Sequence, residues 1–275
     1  MKNLKSRADN FLNKYGKKWP VRLLVILLVS AVKRKFTNVF FDHGIWIHKY
    51  KGGVITDRRI NYRGTLDYYE KNAKDNWFFV YKPKPGDIIF DIGAGDGEEA
   101  YCFSKAVAPG GKVFSIEAHP QTFFCLSKFC EYNKLENVTP LNLAICDKES
   151  EVVIDNPDSD ISATMVNSKN GFKVKGATLD SMVLQLAINK IDFIKMNIEG
   201  AEIKALYGMK NCIKKTKYVC ISCHDFLADR DGNKQMRTKN DVSNFLTQNG
   251  FKIVSRESDG RPWIRDQVNA INDTI

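Results

Sequence analysis

Asp91-Ile92-Gly93-Ala94-Gly95-Asp96-Gly97, entered from the apolar run Ile88-Ile89-Phe90, decides the fold of this chain. It reads as a strand running into a glycine turn, with a helix following from about Glu98. Such a turn aims backbone N–H groups at a ligand just past the strand's C-terminal end. Gly93 and Gly95 permit the positive-φ or close-approach backbone that this requires. Asp91 and Asp96 put negative charge at the two ends of the turn, which suits a cationic ligand better than a pyrophosphate. A second acid, Glu117, ends the next apolar run, Lys112-Val113-Phe114-Ser115-Ile116. An acid about 20 residues beyond a glycine turn is the usual acceptor for ribose hydroxyls.

Two cofactors fit a glycine turn followed by a ribose acid. NAD calls for G-x-G-x-x-G, whereas the spacing here is G-x-G-x-G, with Glu98 where the third glycine would fall. The acidic form D-x-G-x-G-x-G is the one carried by S-adenosylmethionine-dependent methyltransferases, whose cofactor has positive sulfonium and amino groups and no phosphates. A glycine turn without any ligand is the remaining reading.

Pro85-Gly86-Asp87 precedes the first strand, and Ser115-Ile116-Glu117-Ala118-His119-Pro120 and Asn142-Leu143-Ala144-Ile145 follow the glycine turn. Further on come Thr178-Leu179-Asp180 and Lys195-Met196-Asn197-Ile198-Glu199-Gly200-Ala201-Glu202. With these pieces the chain resembles the FkbM-type methyltransferase family over roughly residues 80–255. The last motif is the most specific of them. The family pattern has Asp where this chain has Asn197, so a role needing negative charge there is not implied.

The resemblance implies an α/β fold of the Rossmann-like class I methyltransferase type. Its mostly parallel seven-stranded sheet would carry helices on both faces, with the N-terminal helical and aromatic part as an extension. It implies S-adenosylmethionine as cofactor, bound by Asp91, Gly93, Ala94, Gly95, Asp96, Glu117, Ala118, Ala144, Ile145 and Asn197. Ala144 and Ile145 would flank the adenine. It also implies methyl transfer to a hydroxyl oxygen of a sugar, glycolipid or related small metabolite. The rival from another class is a non-catalytic cofactor-binding or interaction module on the same fold.

The pattern from residue 87 onward supports that architecture. Strands are expected at 88–92, 112–117, 138–145, 191–197 and 217–223, alternating with helices at 98–107, 120–133, 179–188, 200–208 and 239–249. Residues 251–254 and 263–270 read as a terminal hairpin turning at Asp259-Gly260, which in methyltransferases sets the last strand antiparallel. Residues 147–177 read as a short extra strand and a polar loop containing Asp155-Asn156-Pro157-Asp158-Ser159-Asp160.

In open α/β sheets ligands sit beyond the C-terminal strand ends. That rim gathers Lys195, Asn197 and Glu199 from the fourth strand and His224 and Asp225 from the fifth. Methyl transfer to a hydroxyl needs the oxygen positioned and deprotonated. His224 is the first candidate base, since imidazole titrates near neutrality. Glu199 serves if burial raises its pKa, and Asp225 is the third candidate. The structural alternatives are a loop-bonding histidine and carboxylates that start a helix at Gly200. A Mg²⁺ ion on Asn197 or Glu199 with His224 and Asp225 is the weaker reading, because Asn197 is neutral and Mg²⁺ is usually held through carboxylates. No metal is expected.

The net charge of +10 is unevenly placed. Residues 1–35 carry ten Lys/Arg and one acid, Asp9, which is +9 of the total, so residues 36–275 are near neutral and no nucleic-acid-binding face is implied. The basic segment encloses the apolar run Leu23–Val32, whose only polar residue is Ser30. About ten helical residues span roughly 15 Å, half of a bilayer core of about 30 Å, too short to cross. Lys33-Arg34-Lys35 follows the run in place of a small-residue cleavage site. The readings open here are a helix lying on an anionic membrane surface, a helix packed on the domain or on a second subunit, and a signal anchor.

Three parts follow: a basic segment at 1–35, an aromatic lead-in or cap at 36–80 and the methyltransferase domain at 81–275. The aromatics of 36–80 read mainly as core, with an acceptor pocket as the alternative. Seven cysteines in no paired pattern indicate a reducing, cytoplasmic setting, with the inner membrane face as a peripheral location. Cys220-Ile221-Ser222-Cys223-His224 matches C-x-x-C-H, but it lies in an apolar strand, where alternate residues face opposite sides. These thiols are expected to be buried, and neither haem nor zinc is implied.

Overall fold

Short apolar runs such as Ile88–Ile92 and Ile191–Met196 become central parallel strands because both of their faces are covered. The computed structural model describes residues 2–154 and 171–275, so the polar stretch read at 155–160 lies outside the described residues. The chain begins with α1 (Lys2–Tyr15) and α2 (Val21–Lys33), then β1 (Thr37–Asp42), β2 (Ile45–Tyr50), β3 (Gly53–Asp57) and α3 (Leu66–Trp77). It continues through β4 (Ile88–Ile92), α4 (Glu98–Val107), β5 (Lys112–Ile116), α5 (Pro120–Tyr132), β6 (Val138–Leu141), β7 (Ala144–Ile145), β8 (Ser150–Ile154) and β9 (Phe172–Ala177). It closes with α6 (Leu179–Gln185), β10 (Ile191–Met196), α7 (Glu202–Tyr207), β11 (Thr216–Ser222), α8 (Asp225–Asp231), α9 (Lys239–Gln248), β12 (Phe251–Val254), α10 (Pro262–Arg265) and β13 (Gln267–Asn272).

The main sheet has seven strands in the order β12-β13-β11-β10-β4-β5-β6. From β11 to β6 all neighbours are parallel, and β13 alone is reversed, antiparallel to both β11 and β12. After β4 the chain moves outward through β5 and β6, then returns to the other side of β4 at β10. That reversal is a switch point, and it opens a crevice at the C-terminal ends of β4 and β10. One face of the sheet packs α6, α7 and α9 around Leu179, Leu206 and Leu246. The other packs α3, α4 and α5 around Trp77, Phe103 and Phe129. Trp46, Tyr50, Tyr69, Trp77 and Phe78 of 36–80 are core, with Tyr81 just beyond, whereas Phe36, Tyr68 and Phe79 are exposed.

Three sequence expectations are corrected. The strand read at 138–145 breaks into β6 and β7, because the Asn142 side chain turns to donate to the Glu117 and Ala118 carbonyls at 2.9 and 3.0 Å. The helix read at 200–208 begins at Glu202, since Glu199 (φ 50°) and Gly200 (φ 89°) have left-handed backbone that cannot start an α-helix. The terminal pair of strands exists, but α10 lies in its connection, so it is no tight hairpin. Asp259, which was read at the turn, instead joins Arg256 at 3.1 Å and Arg261 at 2.7 Å.

β1, β2 and β3 form a separate antiparallel sheet. Its β3 edge lies on α5, where Thr56 Oγ1 donates to the Cys125 carbonyl at 2.8 Å and Asn133 bonds both the N–H and C=O of Val54. On its other side α1 and α2 bury Leu12, Val25 and Val29 against Val39, Trp46 and Ile60. The apolar run read at 23–32 is therefore a helix with one packed edge.

Candidate active site

The glycine turn is fixed from below. Gly93 and Ala94 donate their N–H groups to the Ile116 carbonyl at 2.9 and 3.0 Å. Lys195 from β10 sits directly beside Asp91 in the parallel register. Its ammonium bonds Asp91 Oδ1 at 2.8 Å and the Gly93 carbonyl at 2.7 Å, and lies 5.1 Å from the centre of the Trp77 ring. Both side chains of this ion pair are fully buried. Burial pushes the Asp91 carboxyl up and Lys195 pulls it back. The negative charge expected from Asp91 beside a ligand is thus neutralised inside the sheet, and Asp91 holds the turn and does not line the cleft. Lys195, read at the rim, is its counter-ion.

The cleft above the turn is lined by Gly93, Gly95, Glu117, Ala118, Asn197 and Glu199 together with an apolar wall of Leu143, Ala144, Ile145 and Ile154. The sequence-derived cofactor residues Gly93, Gly95, Glu117, Ala118, Ala144, Ile145 and Asn197 therefore come together, as a strand-end rim should. Glu117 accepts the Gly95 N–H at 3.0 Å through Oε2 and the His119 N–H at 2.8 Å through Oε1. Burial raises its pKa, while those two N–H groups oppose the shift. Ala94 is buried beneath the turn. Asp96 faces away from this cleft into a second cavity.

Two polar atoms of the cleft walls, Asn197 Oδ1 and Glu199 Oε2, are buried with no hydrogen-bond partner. Unsatisfied buried acceptors are costly, and their clustering where the chain also holds a left-handed Glu199 marks a ligand-facing segment. Burial is the main cause that raises the Glu199 pKa, with His224 opposing it. The histidine itself is buried behind this segment and does not line the cleft. Its Nδ1 stands 3.7 Å from Glu202 Oε1, and Glu202 also accepts the Gly200 N–H at 3.0 Å. Asp225 is turned elsewhere: its Oδ1 accepts the N–H groups of Thr238 and Lys239 at 3.0 and 3.1 Å, where α9 begins. Among the described residues no group of three or more His, Cys, Asp or Glu side chains is arranged to hold a metal.

Two residues escaped the sequence reading. Glu202 was read as a helix start; it is that, and it is also the buried carboxylate beside His224. Arg58, to which the sequence assigns no role, lines the cleft from just past the end of β3. No local motif flags it, because its position follows from β3 packing on α5. Cys220 and Cys223 are buried, as read from their strand, and burial raises the thiol of Cys220 to about 12.

A glycine turn at a switch point, beside a ribose-type acid one strand over and under a seven-stranded sheet with one reversed strand, defines a Rossmann-like methyltransferase fold. The crystal structure of methyltransferase FkbM from Methylobacillus flagellatus KT shares it, with a TM-score of 0.51 at 16% identity over 75% of this chain and 50% of that one. The chain belongs to the methyltransferase FkbM domain family, whose model matches residues 91–253. It is 22% identical over 178 residues to the hexuronic acid methyltransferase AglP of Haloferax volcanii, covering 63% of this chain and 72% of that protein. It is 25% identical over 157 residues to the 2-O-methyltransferase NoeI of Sinorhizobium fredii, covering 50% of this chain and 63% of that protein. This chain thus spans less than two thirds of NoeI and half of the FkbM structure.

Proposed function

We propose that the protein transfers a methyl group from S-adenosylmethionine to a hydroxyl oxygen of a sugar, glycolipid or related small metabolite. The observation that carries this is the placement of Glu117 at the end of β5, one strand from the glycine turn, with the apolar wall of Ala144 and Ile145 beside it. That set fits the cofactor. Glu117 has acceptor capacity left for ribose hydroxyls, the apolar wall suits adenine, and the unpaired Asn197 and Glu199 oxygens suit cationic groups. When bound, the cofactor supplies an electrophilic methyl on a sulfonium. The chain's own residues would orient and deprotonate the acceptor: as the methyl left the sulfonium for the hydroxyl oxygen, Glu199, whose pKa burial raises, would take the hydroxyl proton. His224 supports Glu199 from behind, and Glu202 orients His224. The two sugar-type relatives support a hydroxyl acceptor by analogy.

Calorimetric titration with S-adenosylhomocysteine tests the reading, and preference for NAD would sink it. Glu117→Ala is expected to weaken S-adenosylhomocysteine binding by about 10- to 100-fold, through lost ribose bonds and through the Gly95 N–H left without its acceptor.

We further propose that the protein lies on an anionic membrane surface through its first two helices. Among the described residues no helix is long and apolar enough to cross a membrane. Helix α2 buries Val25, Val29 and Lys33 but exposes Leu24, Leu27 and Val32 by 48, 65 and 52%, with Trp19 (69%) and Phe36 (76%) at its two ends. Not all of the charge is free. Lys33 bonds the Gly64 carbonyl at 2.6 Å and burial lowers its pKa to about 8, while Lys35 pairs with Asp67. Lys17, Lys18 and Arg34 remain exposed beside the apolar face. Each cation near an anionic leaflet contributes about 1 kcal/mol, and each well-buried aliphatic side chain about 1.5–3 kcal/mol. The full chain is expected to co-sediment with phosphatidylglycerol vesicles and to release as salt rises. Leu24→Ser with Leu27→Ser should cut that binding about tenfold or more. Equal sedimentation of the two proteins would remove the membrane from the account.

A further inference from the structure

A second cavity, of about 650 Å³, lies between α1, α2, the end of β3 and the glycine turn. Two observations connect it to the cleft. Arg58 lines both spaces, and the turn divides between them, with Gly95 lining the cleft and the next residue, Asp96, lining the cavity. A molecule that reacts with a group held in the cleft must reach it from neighbouring space, and this cavity shares a wall with the cleft at Arg58 and the glycine turn.

The lining is rich in donors. Arg58, Arg59 and Arg63 come from one short stretch after β3, and Asn10, Asn13 and Asn61 add side-chain amides. The guanidinium groups of Arg58 and Arg63 donate no hydrogen bond to the described residues, so their donors are open to a ligand. Arg59 and Asn13 already have partners. Asp57 and Asp96 give the cavity acceptors, and Asp96 Oδ1 is buried in the wall without a partner. The planar guanidinium fork matches carboxylate and phosphate oxygens, whereas a neutral polyol needs no such cluster. Acceptors beside donors are what sugar hydroxyls pair with.

We propose that this second cavity binds one end of the methyl acceptor, an anionic group, a carboxylate or a phosphate, held by Arg58 and Arg63, while the reacting hydroxyl reaches past Arg58 into the cleft that Glu199 lines. The inference rests on the proposed methyl transfer and adds the chemical class of its acceptor. Asp96 and Asn61 then face hydroxyls of the same molecule. Val32, at the end of α2, forms part of the wall, so the cavity lies beside the exposed apolar face.

Saturation-transfer NMR on the full chain tests this with three probes, glucuronate, glucose 6-phosphate and glucose, each titrated with and without S-adenosylhomocysteine. At least one anionic sugar is expected to bind about tenfold or more tighter than glucose, and to weaken as salt rises. Glucuronate alone would point to a carboxylate, and glucose 6-phosphate alone to a phosphate. Arg58→Gln with Arg63→Gln should abolish the preference, and an unchanged thermal midpoint of that double variant reports an intact fold. Glucose binding as tightly as the anionic sugars, full retention in the double variant, or no anionic sugar bound by protein that does bind S-adenosylhomocysteine would each overturn the inference. Failure to bind S-adenosylhomocysteine would fall on the proposed function instead, and the sugar titrations without it would still read the cavity.

Discussion

Gly93→Ala is expected to abolish S-adenosylhomocysteine binding and to destabilise the fold by about 3 kcal/mol or more. Gly93 has φ +75°, and a Cβ built there lies 2.0 Å from the Asn197 carbonyl oxygen and 2.8 Å from its carbon. That oxygen is backbone, and its residue is itself tied by the Asn197 N–H to the Ile92 carbonyl at 2.9 Å. Neither side can give without separating β4 from β10 at the rim of the cleft. Gly86→Ala is the control: it shares the left-handed backbone at φ +90° but has nothing within 4 Å of the added methyl. It should cost about 1 kcal/mol and leave binding intact. Chemical denaturation and calorimetry on the two variants separate backbone strain from collision, and equal behaviour would show that the close approach to Asn197 is unimportant.

Lys195→Met is expected to destabilise the protein by about 3–5 kcal/mol, because it leaves the Asp91 carboxylate buried without its counter-ion. For a chain of this size that is a fall in thermal midpoint on the order of 10 °C. The sign of the pH dependence follows from Asp91. Burial raises its folded-state pKa, and in the variant only the Ser115 hydroxyl still opposes that shift. A carboxyl whose folded pKa lies above its unfolded value favours the folded state most when protonated. The variant's deficit should therefore be smallest at low pH and should grow as pH rises from the ordinary carboxylate range through the raised value. Adding Asp91→Asn should restore much of the stability and flatten the pH dependence. A double variant no better than Lys195→Met would mean that the ammonium matters mainly through Gly93 and Trp77.

The central elements were legible because they depend on local pattern. Glycines at alternate positions after Ile88–Ile92, with Glu117 ending the next apolar run, pointed to the turn, its flanking strands and the cleft, and helix α4 spans the expected 98–107. What was not legible depends on pairing between distant segments. Asp91 and Lys195 each stand inside an apolar strand, and nothing in either strand alone says that the charges meet. The signal was present in the pair, since opposite charges at matching depth in neighbouring central strands satisfy each other more readily than they satisfy a ligand. The break after Leu141 was hidden for a similar reason, because Asn142 is drawn out of the strand by carbonyls of the β5–α5 connection. Arg58 was missed because only the packing of β3 on α5 brings it to the cleft. Asp225 was placed correctly at a strand end, but its carboxylate is engaged by the start of α9, which sequence spacing does not reveal.

The reversed strand β13 has a consequence for the order in which the sheet is assembled. β12 precedes β13 in the chain, yet among the described residues its only neighbour in the sheet is β13, which lies between it and β11. β12 therefore has no template until β13 has docked, and this edge of the sheet must be built out of sequence order, or added as a preformed pair of strands. Until then β11 presents an open edge carrying Tyr218, Cys220 and Ser222, an exposed pairing surface in the half-folded chain. Changes that slow the docking of β13 should thus act on the yield of folded protein before they act on the cleft, which lies on the far side of β10.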